Sequence, residues 1–136
     1  MTDINTIPAD VASVFDQFSP EQRDILLEAR TEIFKVAMED PRIGELEEVL
    51  RWGEPAYITK NKKTGSTIRL GIEKTTGKPA LFFNCNTSLV EDLREQFGSI
   101  LTYSKNRAVL LDTDDKAAGN AWRSGIASAL TYHLRR

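Results

Sequence analysis

The 136-residue sequence contains one cysteine, Cys85, and one histidine, His133. An intramolecular disulfide, a zinc site built from Cys and His pairs and a CxxC redox motif are therefore all excluded, and any Cys–His catalytic pair has to use these two residues. Long apolar runs are also missing. None approaches the roughly 18 residues that a membrane span requires. The opening MTDINTIPAD lacks the basic and apolar regions of a signal peptide, so the expectation is a cytoplasmic protein without membrane contact. The phosphate-binding patterns GxGxxG and GxxxxGKS/T are absent, as are the nucleophile elbow GxSxG and the metalloprotease motif HExxH.

What remains is ordinary globular material, 40% apolar and 28% charged, long enough to bury one core without covalent staples. The net charge of −2 conceals an asymmetry: residues 1–54 carry 13 acids and 5 bases, residues 55–136 carry 7 acids and 13 bases. Such a split marks separate acidic and basic surfaces, or simply Glu-rich helices and Lys-rich hairpins.

The first half reads as helical. A short helix is expected over residues 8–18. Ser19-Pro20-Glu21-Gln22 then supplies an N-cap hydroxyl, a first-turn proline and the Gln of a capping box, predicting a helix over 20–39 that stops at Asp40-Pro41. On it, Ile25, Ala29, Ile33 and Val36 share one face, and Leu27, Phe34 and Met38 form a second strip. Ile43, Leu46, Val49 and Leu50 suggest a third helix over 41–52, with Gly53 as its C-terminal glycine. The period then shortens to two. Strands are expected over 56–59, 66–74 and 79–85, the last with Leu81, Phe83 and Cys85 on one face. Ser88 and Glu91 read as a capping box for a helix ending at Gly98. Strands over 100–103 and 107–111 precede a final helix over 115–134, with Trp122, Ile126, Ala129, Leu130 and His133 on one side and Arg135 and Arg136 at its negative end.

Three groups of residues are candidates for chemistry. Asp24, Glu28 and Glu32 stack one turn apart and could hold a hard cation such as iron, although a solvated helix face has the same spacing. Trp52, Glu54 and Tyr57 lie where the predicted third helix meets a strand, and their rings could stack on a planar ligand or seal the core edge. Arg69 and Arg107 could receive an anion bidentately, with an ion pair from Arg69 to Glu54 or Glu73 as the alternative. His133 is the natural general base if there is catalysis, or a cation stabilised at a helix end. Cys85 reads as a small core residue. The basic turn Lys60-Asn61-Lys62-Lys63 has no interleaved aromatics, which argues against nucleic acid as a partner. No nucleophile, base and orienting residue occur together, so binding is favoured over catalysis.

Arg51-Trp52-Gly53-Glu54-Pro55-Ala56-Tyr57, Gly65-Ser66-Thr67-Ile68-Arg69, Phe83-Asn84-Cys85-Asn86-Thr87, Asn106-Arg107-Ala108 and Ala129-Leu130-Thr131-Tyr132-His133 resemble the YdhG-like family, domain of unknown function 1801, from about residue 25 to the C-terminus. The resemblance implies a single α+β domain, with N-terminal helices and a C-terminal helix on a mostly antiparallel sheet of about five strands and one helix inserted between strands three and four. Some members are described as frataxin-like iron chaperones. The resemblance therefore implies weak iron binding and delivery to an iron–sulfur or haem assembly protein, with the acids of the stripe as candidate ligands. The alternatives are a pocket for a small anionic or aromatic ligand near Trp52, Tyr57 and Arg69, or a protein-interaction module without a ligand.

Overall fold

A computed structural model describes residues 6–111 and 115–134. The chain runs α1 (Ala9–Gln17), α2 (Pro20–Glu39), β1 (Leu46–Arg51), β2 (Glu54–Thr59), β3 (Ile68–Glu73), β4 (Lys78–Phe83), α3 (Leu89–Phe97), β5 (Tyr103–Ser104), β6 (Ala108–Leu110) and α4 (Lys116–Leu130), with short 3₁₀ turns at Gly98–Ile100 and Tyr132–Leu134. The strands form one antiparallel sheet in the order β1-β2-β3-β4-β6-β5. The fold is α+β, as expected, with six strands rather than about five, and the inserted helix α3 lies between the fourth and fifth strands rather than the third and fourth, because residues 46–51 add a strand ahead of it. Among the described residues no helix is long and apolar enough to cross a membrane.

Local signals fix the helix boundaries. Gln22 N–H donates to the Ser19 hydroxyl at 3.2 Å and Ser19 N–H donates to the Gln22 side-chain oxygen at 3.1 Å, so the capping box that opens α2 is complete. Asp40, held extended by the proline after it, ends the helix. The buried face of α2 is broader than its two apolar strips suggested: Leu26, Ala29, Arg30, Ile33, Phe34, Val36 and Ala37 are buried, whereas Met38 is 75% exposed. At α3 the second capping box does not form. The Ser88 hydroxyl donates to Asp92 instead, and the Ser88 backbone (φ −88°, ψ 9°) leaves the extended region an N-cap requires.

Residues 46–51, expected as helix, are a strand. Leu46 and Glu48 face the helices while Glu47 and Val49 face away, and the whole segment pairs with β2 from Leu46↔Thr59 to Arg51↔Glu54. The alternation was hidden because one core position holds a glutamate. Glu48 is buried and accepts from the Arg30 guanidinium at 2.6 and 2.8 Å and from the Tyr57 hydroxyl at 2.7 Å. A buried carboxylate is tolerated only with such partners, and Arg30 comes from another element. Gly53, expected to terminate a helix, is the second residue of a two-residue hairpin turn in which Trp52 (φ 56°) and Gly53 (φ 76°) are both left-handed.

The main core lies between the helices and one face of the sheet. Tyr57, Ile68, Leu70, Leu81, Phe83 and Val109 from the strands meet Leu26, Ile33, Phe34, Trp122, Ile126 and Leu130. The Tyr57 and Phe34 rings meet edge to face at 5.8 Å. The loop between β2 and β3 is tied to the end of α4: Ser66 N–H donates to Ala129 O, and His133 N–H donates to Thr64 O. A Cβ at Gly65 would run into the backbone of Leu130, so this approach requires glycine.

Candidate functional site

Among the described residues the opposite face of the sheet carries only a small second cluster, Ala80, Ala108 and Leu110 with the half-buried Phe82 packed against it. Strand alternation decides what stands there. Arg69 pairs across the strands with Ala56 on β2 and Phe82 on β4, so all three project from this face, as does Arg51 opposite Glu54. Small residues on the same face, Ala56, Gly71 and Ala80, leave room between the larger side chains.

Two neighbouring clefts, of about 450 and 420 Å³, result, and Trp52, Arg69 and Arg107 line both. Trp52 is 90% exposed although it is a large aromatic residue. A non-glycine residue in the left-handed region is a backbone strain that natural turns usually avoid with Asn or Gly; here the turn holds an indole ring out at the cleft. Arg69 donates to Glu54 at 2.6 Å, and its guanidinium lies 5.5 Å from the centre of the Phe82 ring. The Glu54 carboxylate lies over Gly71, where a Cβ would displace it. Burial pushes the Glu54 carboxyl above its ordinary value, outweighing the opposing pull of Arg69 and Lys74.

The cleft is basic. Arg51, Arg69, Lys74, Lys105 and Arg107 line it, against Glu54 and Glu73. Both carboxylates are engaged: Glu54 with Arg69, and Glu73 with the amides of Thr75 and Thr76, which hold its carboxyl below its ordinary value. The Arg107 side chain, by contrast, has no hydrogen bond or ion pair among the described residues, and Arg51 makes only a 3.3 Å bond to the Leu50 carbonyl. Charge repulsion among the cations and the unused donors of Arg107 both favour an anion here.

The structure thus brings together Trp52, Glu54, Arg69 and Arg107 and separates them from two other candidates. Tyr57 points the other way, fully buried in the main core, where desolvation and the neighbouring Glu48 carboxylate raise its phenol well above its ordinary value. Tyr57 and Glu54 are three residues apart, and on a strand an odd separation places side chains on opposite faces. His133 is exposed on the 3₁₀ turn after α4, next to Tyr132, and lines neither cleft. Cys85, expected in the core, is exposed because β4 ends at Phe83; it borders the smaller cleft. Arg51, Phe82, Lys74 and Lys105 were missed as site residues. Only Phe82 had a signal in the sequence, as the aromatic ring out of phase with Leu81 and Phe83.

The acidic stripe of α2 is placed differently. Asp24 and Glu28 are exposed, but Glu32 accepts from Arg123 at 2.6 Å and lies 3.7 Å from Lys35. Among the described residues no three His, Cys, Asp or Glu side chains are grouped so that they could hold a metal ion. A larger cleft, about 640 Å³, lies between α2 and α4, where Arg123 bridges Glu32 and Glu39, while Glu28 and Lys116 on its lining have no ion pair among the described residues. Arg135 and Arg136 fall outside the described residues.

No protein-family model, curated protein or solved structure matches this chain.

Proposed function

We propose that the protein is a non-catalytic binding protein whose helix-free sheet face holds an anion bearing a planar ring. The observation that carries this reading is the placement of a 90% exposed Trp52 beside Arg107, whose side chain has no partner among the described residues, and beside the Arg69 guanidinium over the Phe82 ring. A negatively charged group would sit against Arg107 and Arg69, and a ring against Trp52. Catalysis has no support in the site: both lining carboxylates are occupied, and Cys85, which borders the smaller cleft, has no histidine there to act as its base, since His133 lines neither cleft.

Calorimetric titration with naphthalene-2-sulfonate, a ring whose charge does not change with pH, provides the test. Saturable binding that Arg107→Glu abolishes supports the reading, and binding unaffected by that change removes it. The same titration with Fe²⁺ under anaerobic conditions addresses the iron delivery that the YdhG-like resemblance implies, for which Asp24 and Glu28 are the acids of the stripe without ion pairs among the described residues.

A further inference from the structure

We infer that the ligand of the open sheet face is a single-stranded nucleic acid, laid along β3 with its phosphates on the arginines and lysines and its bases on Trp52 and Arg69. The inference rests on the reading above and adds the class of ligand.

Three observations carry it. First, the basic surface is long. Thr67 lines one cleft and Glu73 the other, and six strand steps of about 3.3 Å separate them, roughly 20 Å. A single nucleotide would leave most of that length empty, whereas a few consecutive nucleotides of an extended single strand span it. Second, the cations are spread along that length rather than clustered at one point. Arg51 belongs to the cleft that Thr67 lines, Lys74 and Lys105 to the cleft that Glu73 lines, and Arg69 and Arg107 to both. A compact anion needs one cluster, whereas a polyanion is matched by a row. Third, flat surfaces stand among the charges. Trp52 presents an exposed indole, and the Arg69 guanidinium, already resting on Phe82, offers a second plane on which a base can stack.

The acidic net charge is no obstacle, because the charges are segregated. The chain as a whole is at −2, yet among the described residues the two carboxylates lining the clefts are held by Arg69 and by the turn after β3, and Glu47, on the same face of edge strand β1, lines neither cleft. A strand laid in the clefts meets free cations, and among the described residues both lining acids are already engaged. The open sheet with stacking rings and flanking bases is the arrangement that single strands exploit, since every base has a π face and no edge needs to be read.

The experiment is fluorescence anisotropy of a labelled eight-nucleotide oligouridylate titrated with the full chain, beside uridine monophosphate and a polyphosphate of similar length as competitors. Saturable binding is expected, tighter than that of the mononucleotide. The slope of log affinity against log salt should be about −3, for the four cations not already in an ion pair. Trp52→Asn suits the left-handed turn better than tryptophan, so it preserves the fold while removing the ring, and should weaken binding roughly five- to a hundredfold. Affinity for the oligonucleotide no greater than for the mononucleotide would overturn the inference while leaving the anion-binding reading intact. Equal competition by polyphosphate, with Trp52→Asn without effect, would also overturn it, since the rings would then play no part. Failure of both the oligonucleotide and naphthalene-2-sulfonate to bind would remove both readings.

Discussion

Glu48 shows how much a single residue can disguise. Its side chain is fully buried between Arg30 on α2 and Tyr57 on β2, an ion pair with a hydrogen-bonded hydroxyl inside the core. Breaking such a pair from one side strands the remaining charge, at a cost of about 3–5 kcal/mol. Glu48→Ala should therefore destabilise the protein by that amount in urea denaturation. Tyr57→Phe, which keeps the ion pair, should cost less. In both cases any surviving folded protein should bind naphthalene-2-sulfonate normally, because Tyr57 and Glu48 face away from the cleft; a loss of binding in Tyr57→Phe at full folding would contradict the assignment of faces. The same residue accounts for the misread segment. A glutamate between Leu46 and Leu50 looks like the polar side of a helix until its partner eighteen residues earlier is known.

At the scale of elements, two glycines of β3 and the loop before it carry different constraints. Gly65 lets the β2–β3 loop press on the last turn of α4, and the atoms a Cβ would meet there are the Leu130 backbone, which cannot move without shifting the helix. Gly71 lies under the Glu54 carboxylate, the end of a flexible side chain that can swing away. Gly65→Ala should thus destabilise by about 1–3 kcal/mol or more, as overpacking against a rigid neighbour does. Gly71→Ala should cost less stability but release Arg69 from Glu54 and tighten anion binding. Thermal melts and titrations of the two variants check this contrast, and equal destabilisation with unchanged binding would refute it. The elements themselves were readable where their signals are local: the capping box of α2, the proline stop after it, the alternation of Ile68 with Leu70, and Gly98 after α3. They were not readable at residues 46–51, where the apolar spacing fits either period and pairing with β2 decides.

Across the whole molecule, the sheet separates two electrostatic environments, the helical side holding a buried ion pair and the open side a basic cleft with one raised carboxyl. The sign of its pH dependence follows from Glu54. Burial raises its carboxyl above the ordinary 4.5, so the folded protein binds this proton more tightly than the unfolded chain does. Its contribution to stability is accordingly full below the unfolded value and lost as pH rises through the folded one. Protonation also frees Arg69, so affinity for a sulfonate should rise as pH falls into this range, and Glu54→Gln should show the tighter binding already at pH 7 with that dependence removed. A calorimetric pH series on both proteins measures it; parallel profiles would show that Glu54 does not gate Arg69. By itself the sequence determined the α+β class, the ends of most helices and the candidacy of Trp52, Arg69 and Arg107, because caps, turn residues and periodicity act over a few residues. Only the tertiary structure decided that residues 46–51 are a strand, that Tyr57 turns inward while Trp52 turns out, and that arginines from β1, β3 and the turn before β6 share one face. Those outcomes depend on strand pairing and on which sheet face the helices cover, contacts between residues far apart in the chain that no local pattern encodes.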